Sequence, residues 1–253
     1  MPATALPSSG DNPGDRPSGN NAINGSNSSG PRHAAETPQT PKTCDASGMA
    51  DIHRMFRAGF GEGPELVNSV TPNDAAQADI VGDYLAMLST TLHGHHQGED
   101  TLLWDNLESR APSCAIHVER MKVQHAEMLV HLDELDARLP TWRASGRMED
   151  AASVLAALAG INAALDVHMP DEEATIVPVM ETTLAPADVN ALSKHGRKST
   201  PKGKTFIQLG AILDAQPDGG DAWMHKNLPA PVRVIWRLVG KSRYEKYRAE
   251  LVK

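Results

Sequence analysis

His95 and Glu99 stand four residues apart, and so do His168 and Glu172. At about 100° per residue, this spacing puts imidazole and carboxylate about 40° apart on one helix face. Both pairs continue apolar stripes: Ile80, Tyr84, Leu88 and Leu92 lead to His95, Glu99 and Leu102, while Leu158, Ile161 and Leu165 lead to His168, Glu172 and Ile176. Two more histidines fall on inward lines, His53 between Met49 and Phe56, and His125 between Met121 and Met128 or Leu129, with Leu132 beyond. Four imidazoles and two carboxylates are thus expected where core side chains belong. Burying an ionised carboxylate is costly unless it is paired or coordinates a metal. The implied chemistry is cation binding, in which two carboxylates bridge two metals and the histidines take terminal positions. Nitrogen and oxygen donors without thiolate suit iron, manganese or zinc over copper(I).

Each residue has a plainer reading by itself, since a lone histidine on an apolar face is more often a hydrogen-bonded core residue. His96 and Asp100 form a second pair at the same spacing, one residue out of register. It lies about 100° off the Leu88–Leu92 stripe, so His96 is read with His93 as flanking the site, and Asp100 and Glu173 as outer or solvated groups. On this register His95→Ala or Glu99→Ala loses metal and stability together, and His96→Ala does neither to the same degree. His33, His117, His131, His195 and His225 carry no expected role.

Long helices must position these residues. The spacing predicts one from about Ala50 to Phe60, ended by Gly61-Glu62-Gly63-Pro64, and a second from an Asn73 N-cap to about Ser109. A third is expected from Cys114 to Leu139, stopped by Pro140, and a fourth from Met148 to at least Val177. Short connections between four such helices favour an all-α, up-down-up-down four-helix bundle over residues 49–183. Residues 1–48 contain 25 Pro, Gly, Ser or Asn in 48, which predicts a disordered tail. Residues 184–253 are expected to form a net basic helical extension, its last helix docked on the bundle rather than lying on a membrane surface.

Composition narrows the class. The chain has 253 residues, a net charge of −8, 4% aromatics and 11 histidines. Its two cysteines, Cys44 and Cys114, form no CxxC, which argues against a disulfide scaffold or a zinc–thiolate site. No run approaches the ~18 consecutive apolar residues of a membrane span, and the N-terminus lacks a secretory pattern. A cytoplasmic protein without a nucleic-acid partner is expected.

The order His…HxxxE…His…HxxxE resembles the hemerythrin family, in particular its HHE cation-binding branch. The carrying segments are Asp51-Ile52-His53, His95-His96-Gln97-Gly98-Glu99-Asp100-Thr101-Leu102-Leu103-Trp104, Gln124-His125-Ala126-Glu127 and His168-Met169-Pro170-Asp171-Glu172-Glu173. The resemblance implies a four-helix bundle holding two iron ions in an oxo- or hydroxo-bridged non-haem di-iron centre, with manganese or zinc as lesser alternatives. His53, His95, His125 and His168 would be terminal ligands, and Glu99 and Glu172 the bridging carboxylates. It also implies binding of, or reaction with, dioxygen, hydrogen peroxide or nitric oxide in an oxidative or nitrosative stress response. The alternative is an iron- or oxygen-sensing module without turnover. Two departures from the oxygen-carrying pattern stand out. Leu129 replaces the second histidine of HxxxH on the third helix, which predicts an open metal position and reactivity rather than storage. The fourth helix has HxxxE in place of HxxxxD, with Pro170 inside it, which predicts a kink that re-aims Glu172.

Overall fold

The computed structural model describes residues 41–253. Of the tail expected over residues 1–48, the first 40 lie outside them; 41–48 are docked and not loose, with Thr43 N donating to the Glu181 carbonyl at 2.6 Å and Ala46 buried in one cluster with Met180. The described residues are helical, and no strand occurs among them.

Four long helices dominate: α1 (Gly48–Ser69), α2 (Ala75–Leu102), α4 (Ala115–Ser145) and α5 (Met148–Thr175). α4 packs on α5 and α2, and α1 packs on α5 and α2, which closes a ring around one interior. Short α3 (Trp104–Arg110) and α6 (Val177–Thr183) follow α2 and α5. Both junctions fall four residues after a buried glutamate, at Leu103 and Ile176, whose N–H groups donate to the carbonyls of Glu99 and Glu172 at 2.9 Å. Leu103 and Ile176 are fully buried and gather with Trp104, Leu107, Met121 and Met180 into an apolar cap at that end. The larger cluster, from Phe56, Leu88 and Leu92 to Leu135, Trp142, Ile161 and Leu165, fills the remaining length.

Several expected boundaries move. α1 does not stop at Gly61–Pro64 but runs through Pro64 to Ser69. Proline inside a helix strips the carbonyl four residues earlier of its partner, and here Asn162 Nδ2 on α5 donates to that Phe60 carbonyl at 3.0 Å. Leu66, Val67 and Val70 then continue the buried side. α4 likewise passes Pro140, and α5 passes Pro170. Both prolines are exposed, so the carbonyls they strand lie toward water, where little is lost. The continuous helix predicted to Ser109 instead breaks at Leu103. The N-cap is Asp74, which accepts from Gln77 N at 3.0 Å, while Asn73 takes the left-handed turn at φ 68°. Gly146, at φ 60°, ends α4, and a Cβ there would sit 2.7 Å from the Asp74 backbone. Glycine thus lets the α4–α5 turn close on the start of α2.

Beyond the ring, α7 (Pro186–Ser199) lies along α2. Its Ser199 and His195 occupy the space that side chains on Gly94 and Gly98 would fill. α8 (Thr205–Asp214) packs on α1, and α11 (Lys241–Leu251) packs on α8 and α2. Between them run α9 (Asp221–Asn227), α10 (Ala230–Ile235) and a π turn, Trp236–Gly240. The docking expected of the last helix is found for Tyr244 and Leu251, both buried, but the preceding Val232–Val239 stretch leaves its aliphatics exposed. The α5–α6 stretch Met148–Thr183 is long and apolar enough to cross a membrane by length and composition alone. Its buried residues face α1 and α4, and they include His168 and Glu172.

Candidate metal centre

Helical periodicity brings all six residues singled out in the sequence to one level of the ring, just below the Leu103–Ile176 cap. His53 comes from α1, His95 and Glu99 from α2, His125 from α4, and His168 and Glu172 from α5. Glu99 and Glu172 are 1% and 0% exposed. Pro170 does not turn Glu172 away, because α5 remains continuous through it.

A seventh residue joins them. His96 is buried, and its ring stacks on His125 with centroids 4.1 Å apart. Reading His96 as a flanking group is therefore corrected. The single-stripe picture fails because α2 is packed on more than one side: Ser89 and His96 face α4, while Gly94 and Gly98 face α7. Ser89 hides this second inward line in the sequence, since its hydroxyl looks like a surface residue yet donates to Asp136 Oδ1 at 2.7 Å. The readable signals were the glycines four apart and the tandem His95-His96.

The donor atoms form two nests, each with every atom within 4.8 Å of the others. Nest one comprises His53, His95, Glu99 and Glu172; nest two comprises His96, Glu99, His125 and His168. Glu99 spans both, with Oε1 3.2 Å from His95 Nε2 and Oε2 3.4 Å from His125 Nε2. Glu172 Oε2 also lies between them, 3.2 Å from His53 Nε2 and 3.6 Å from His168 Nε2. Two ligands each about 2.1 Å from one cation sit roughly 3.0–3.5 Å apart when they subtend ordinary coordination angles, and most of these separations fall in that range. The shortfall expected from Leu129 is made up from α2: nest two has three imidazoles, nest one has two. Leu129 itself is 45% exposed.

Outer groups orient the rings. His53 Nδ1 donates to Glu173 Oε1 at 2.8 Å, and Arg57 Nη1 donates to that same oxygen at 2.9 Å. His125 Nδ1 donates to Asp100 Oδ1 at 2.9 Å, which also accepts from Trp104 Nε1 at 2.7 Å. His168 Nδ1 lies 3.1 Å from Gln124 Oε1, whose amide nitrogen donates to Asp171. An oxygen acceptor on Nδ1 puts the proton there and leaves the Nε2 lone pair facing the centre. Asp100 and Glu173, read from the sequence as outer or solvated groups, hold two of the three rings.

The electrostatics leave a deficit at the centre. Both oxygens of Glu99 and of Glu172, and Nε2 of His96, His125 and His168, are buried without a hydrogen-bond partner. Each such atom costs about 1–3 kcal/mol. Burial, and next the Glu172 charge, push the Glu99 carboxyl well above its ordinary range. Burial pushes Glu172 the same way, but His53 outweighs it and holds Glu172 at about 2. Burial also works against a proton on His53, yet the neighbouring Glu172 and Glu173 carboxylates raise it. His95 and His96 are driven well below the imidazole range, first by burial, then by His53 and His125 respectively. Burial brings His168 down to about 4. Three imidazoles held neutral, His95, His96 and His168, beside two buried carboxylates leave too little positive charge there, which fits a pair of cations.

A cleft of about 780 Å³ lies alongside, lined by Thr90, His96, Trp104, Lys122, His125 and Leu129 among others. His96 and His125 of nest two are part of its lining.

No curated protein and no solved structure matches the chain. The model of the hemerythrin HHE cation binding domain matches residues 46–195, which contain all seven histidines and glutamates of the two nests and most of α7. The chain belongs to the hemerythrin HHE cation-binding family.

Proposed function

We propose that the centre holds two iron ions and that the protein binds or consumes a small oxidant, namely dioxygen, hydrogen peroxide or nitric oxide. The observation that carries this reading is the pair of nests sharing Glu99, with seven buried donor atoms that no group among the described residues satisfies. His53 and His95 would hold one metal, and His96, His125 and His168 the other. Glu99 and Glu172 would bridge them inside an up-down-up-down bundle. Such a pair supplies two electrons and an exchangeable Lewis-acidic position when bound.

The remaining contributions come from the chain itself. Glu173, Asp100 and Gln124 keep protons on Nδ1 of His53, His125 and His168, so that Nε2 points inward. Phe56, Leu92, Met121, Leu103 and Ile176, all fully buried, keep bulk water from either side of the level. The Asp100 side chain is 48% exposed while bonded to His125, so solvent reaches the outer end of that pair.

The test is elemental analysis of aerobically purified protein, followed by addition of hydrogen peroxide or nitric oxide to the same sample. The expected result is close to two irons per chain and a change in visible absorbance with at least one oxidant. Protein that takes up no iron under any loading condition defeats the proposal. Full iron loading with no response to any oxidant, combined with iron-dependent binding to another molecule, favours a sensing module without turnover. The exposed basic C-terminal stretch is the observation that keeps that second reading in view.

A further inference from the structure

α10, the π turn and the first part of α11 form one uninterrupted helical stretch. Trp236, Gly240 and Tyr244, in steps of four, are buried, and Trp236 and Tyr244 join Leu213 and Met224 in a small cluster. The other side is apolar and is left uncovered by the described residues. Val232, Val234, Ile235, Leu238 and Val239 are exposed, Leu238 by 75%. Five of the twelve large hydrophobics exposed among the described residues thus fall within eight positions, so the strip is a concentrated patch and not ordinary scatter.

Charge identifies the occupant. Residues 230–246 contain Arg233, Arg237, Lys241, Arg243 and Lys246 against Glu245 alone, in a chain whose net charge is −8. Arg237 and Lys241 are 58% and 64% exposed, and their ion pairs with Asp221 and Glu245 are loose, at 3.8 Å each. An apolar strip with basic flanks is the pattern of a helix lying in a lipid interface, with aliphatics among the acyl chains and cations at anionic headgroups. A second copy fits less well, because a twofold contact on this strip would set the same basic flank against itself.

We propose that the α10–α11 strip is a docking surface for anionic phospholipid membranes. The apolar side chains span about two helical turns, so the attachment is reversible and salt-sensitive. It is independent of what the metal centre does.

The test uses full-length protein sedimented with vesicles of phosphatidylcholine alone or of phosphatidylcholine with phosphatidylglycerol, at low and high salt. Binding is expected only to the anionic vesicles and is released by salt. Arg237→Gln and Lys241→Gln should each weaken it about fivefold, and Ile235→Gln combined with Leu238→Gln should abolish it although no charge changes. These side chains are exposed, so thermal midpoints and metal content should match the parent, and a variant whose midpoint falls is replaced by Leu238→Ser alone. Absence of binding to the anionic vesicles overturns the proposal. So does equal binding to both vesicle types, or unchanged binding by the aliphatic variant. Sedimentation equilibrium that shows a dimer broken by Leu238→Gln, with no vesicle binding by the parent, assigns the strip to self-association instead.

Discussion

Nest one and nest two share a glutamate and a level in the fold, yet they are built differently. Nest one has two imidazoles, and its His53 leans on Glu173, itself paired with Arg57. Nest two stacks His96 on His125, backs His125 with Asp100, and backs His168 with the neutral amide of Gln124. Nest one thus has two imidazoles, one of them backed by a carboxylate paired with arginine; nest two has three, one backed by a carboxylate and one by an amide. Two metals in these surroundings are expected to be inequivalent, the poorer nest leaving room for an exogenous ligand.

The largest test of this contrast removes what the nests share. Glu99→Gln should lose iron from both, and with it most of the metal-derived stability, which for structural sites is on the order of 10 kcal/mol. In metal-free protein the sign reverses: a neutral amide relieves the repulsion with Glu172, and the variant should be more stable than the metal-free parent by about 1–3 kcal/mol. Urea unfolding with and without iron checks both halves. If Glu99→Gln keeps two irons, the shared-bridge reading fails.

Next come variants confined to one nest. His96→Ala and His125→Ala should each lose about one iron per chain, and His53→Ala should lose the other, as read by elemental analysis. His96→Ala with full iron would restore the flanking role read from the sequence and dissolve nest two as drawn.

Acid separates the nests more gently. His168 is neutral in the fold down to about 4, whereas an unfolded histidine takes its proton near 6.5. Between those values the unfolded chain binds more protons, so stability falls as pH falls, by up to about 3 kcal/mol for this group. His53, raised by its carboxylates, works in the opposite direction. Metal-free His168→Gln should therefore lose less stability than the metal-free parent between pH 7 and pH 4.5, and an identical loss would remove His168 from the account.

The smallest effects belong to the outer groups. Glu173→Gln should weaken iron binding at nest one and Asp100→Asn at nest two, each by about 10–100-fold, as measured by competition with a chelator. A Glu173 variant that affects only nest two would break the assignment of supports.

The sequence made the helical class and the inward direction of His95, Glu99, His168 and Glu172 readable, because a helix repeats its facing residues locally. What it hid depends on partners distant in the chain. His96 reads as peripheral until α7 and α4 are known to flank α2. Pro64 reads as a stop until Asn162, nearly a hundred residues later, is seen to take the Phe60 carbonyl. The break at Leu103 reads as helix because no residue there disfavours one, and the turn follows from seating Leu103 and Trp104 in the apolar cap.

Pro64 and Asn162 also carry a lesson about the order in which such a sequence can be assembled. With any residue but proline at 64, the Phe60 carbonyl has its helical partner and Asn162 is dispensable. With proline in place, losing Asn162 strands a carbonyl inside the bundle. The two positions are therefore epistatic: asparagine can arrive first at little cost, whereas proline arriving first meets a penalty. A chain holding both has taken a step that is easier to make than to reverse one residue at a time.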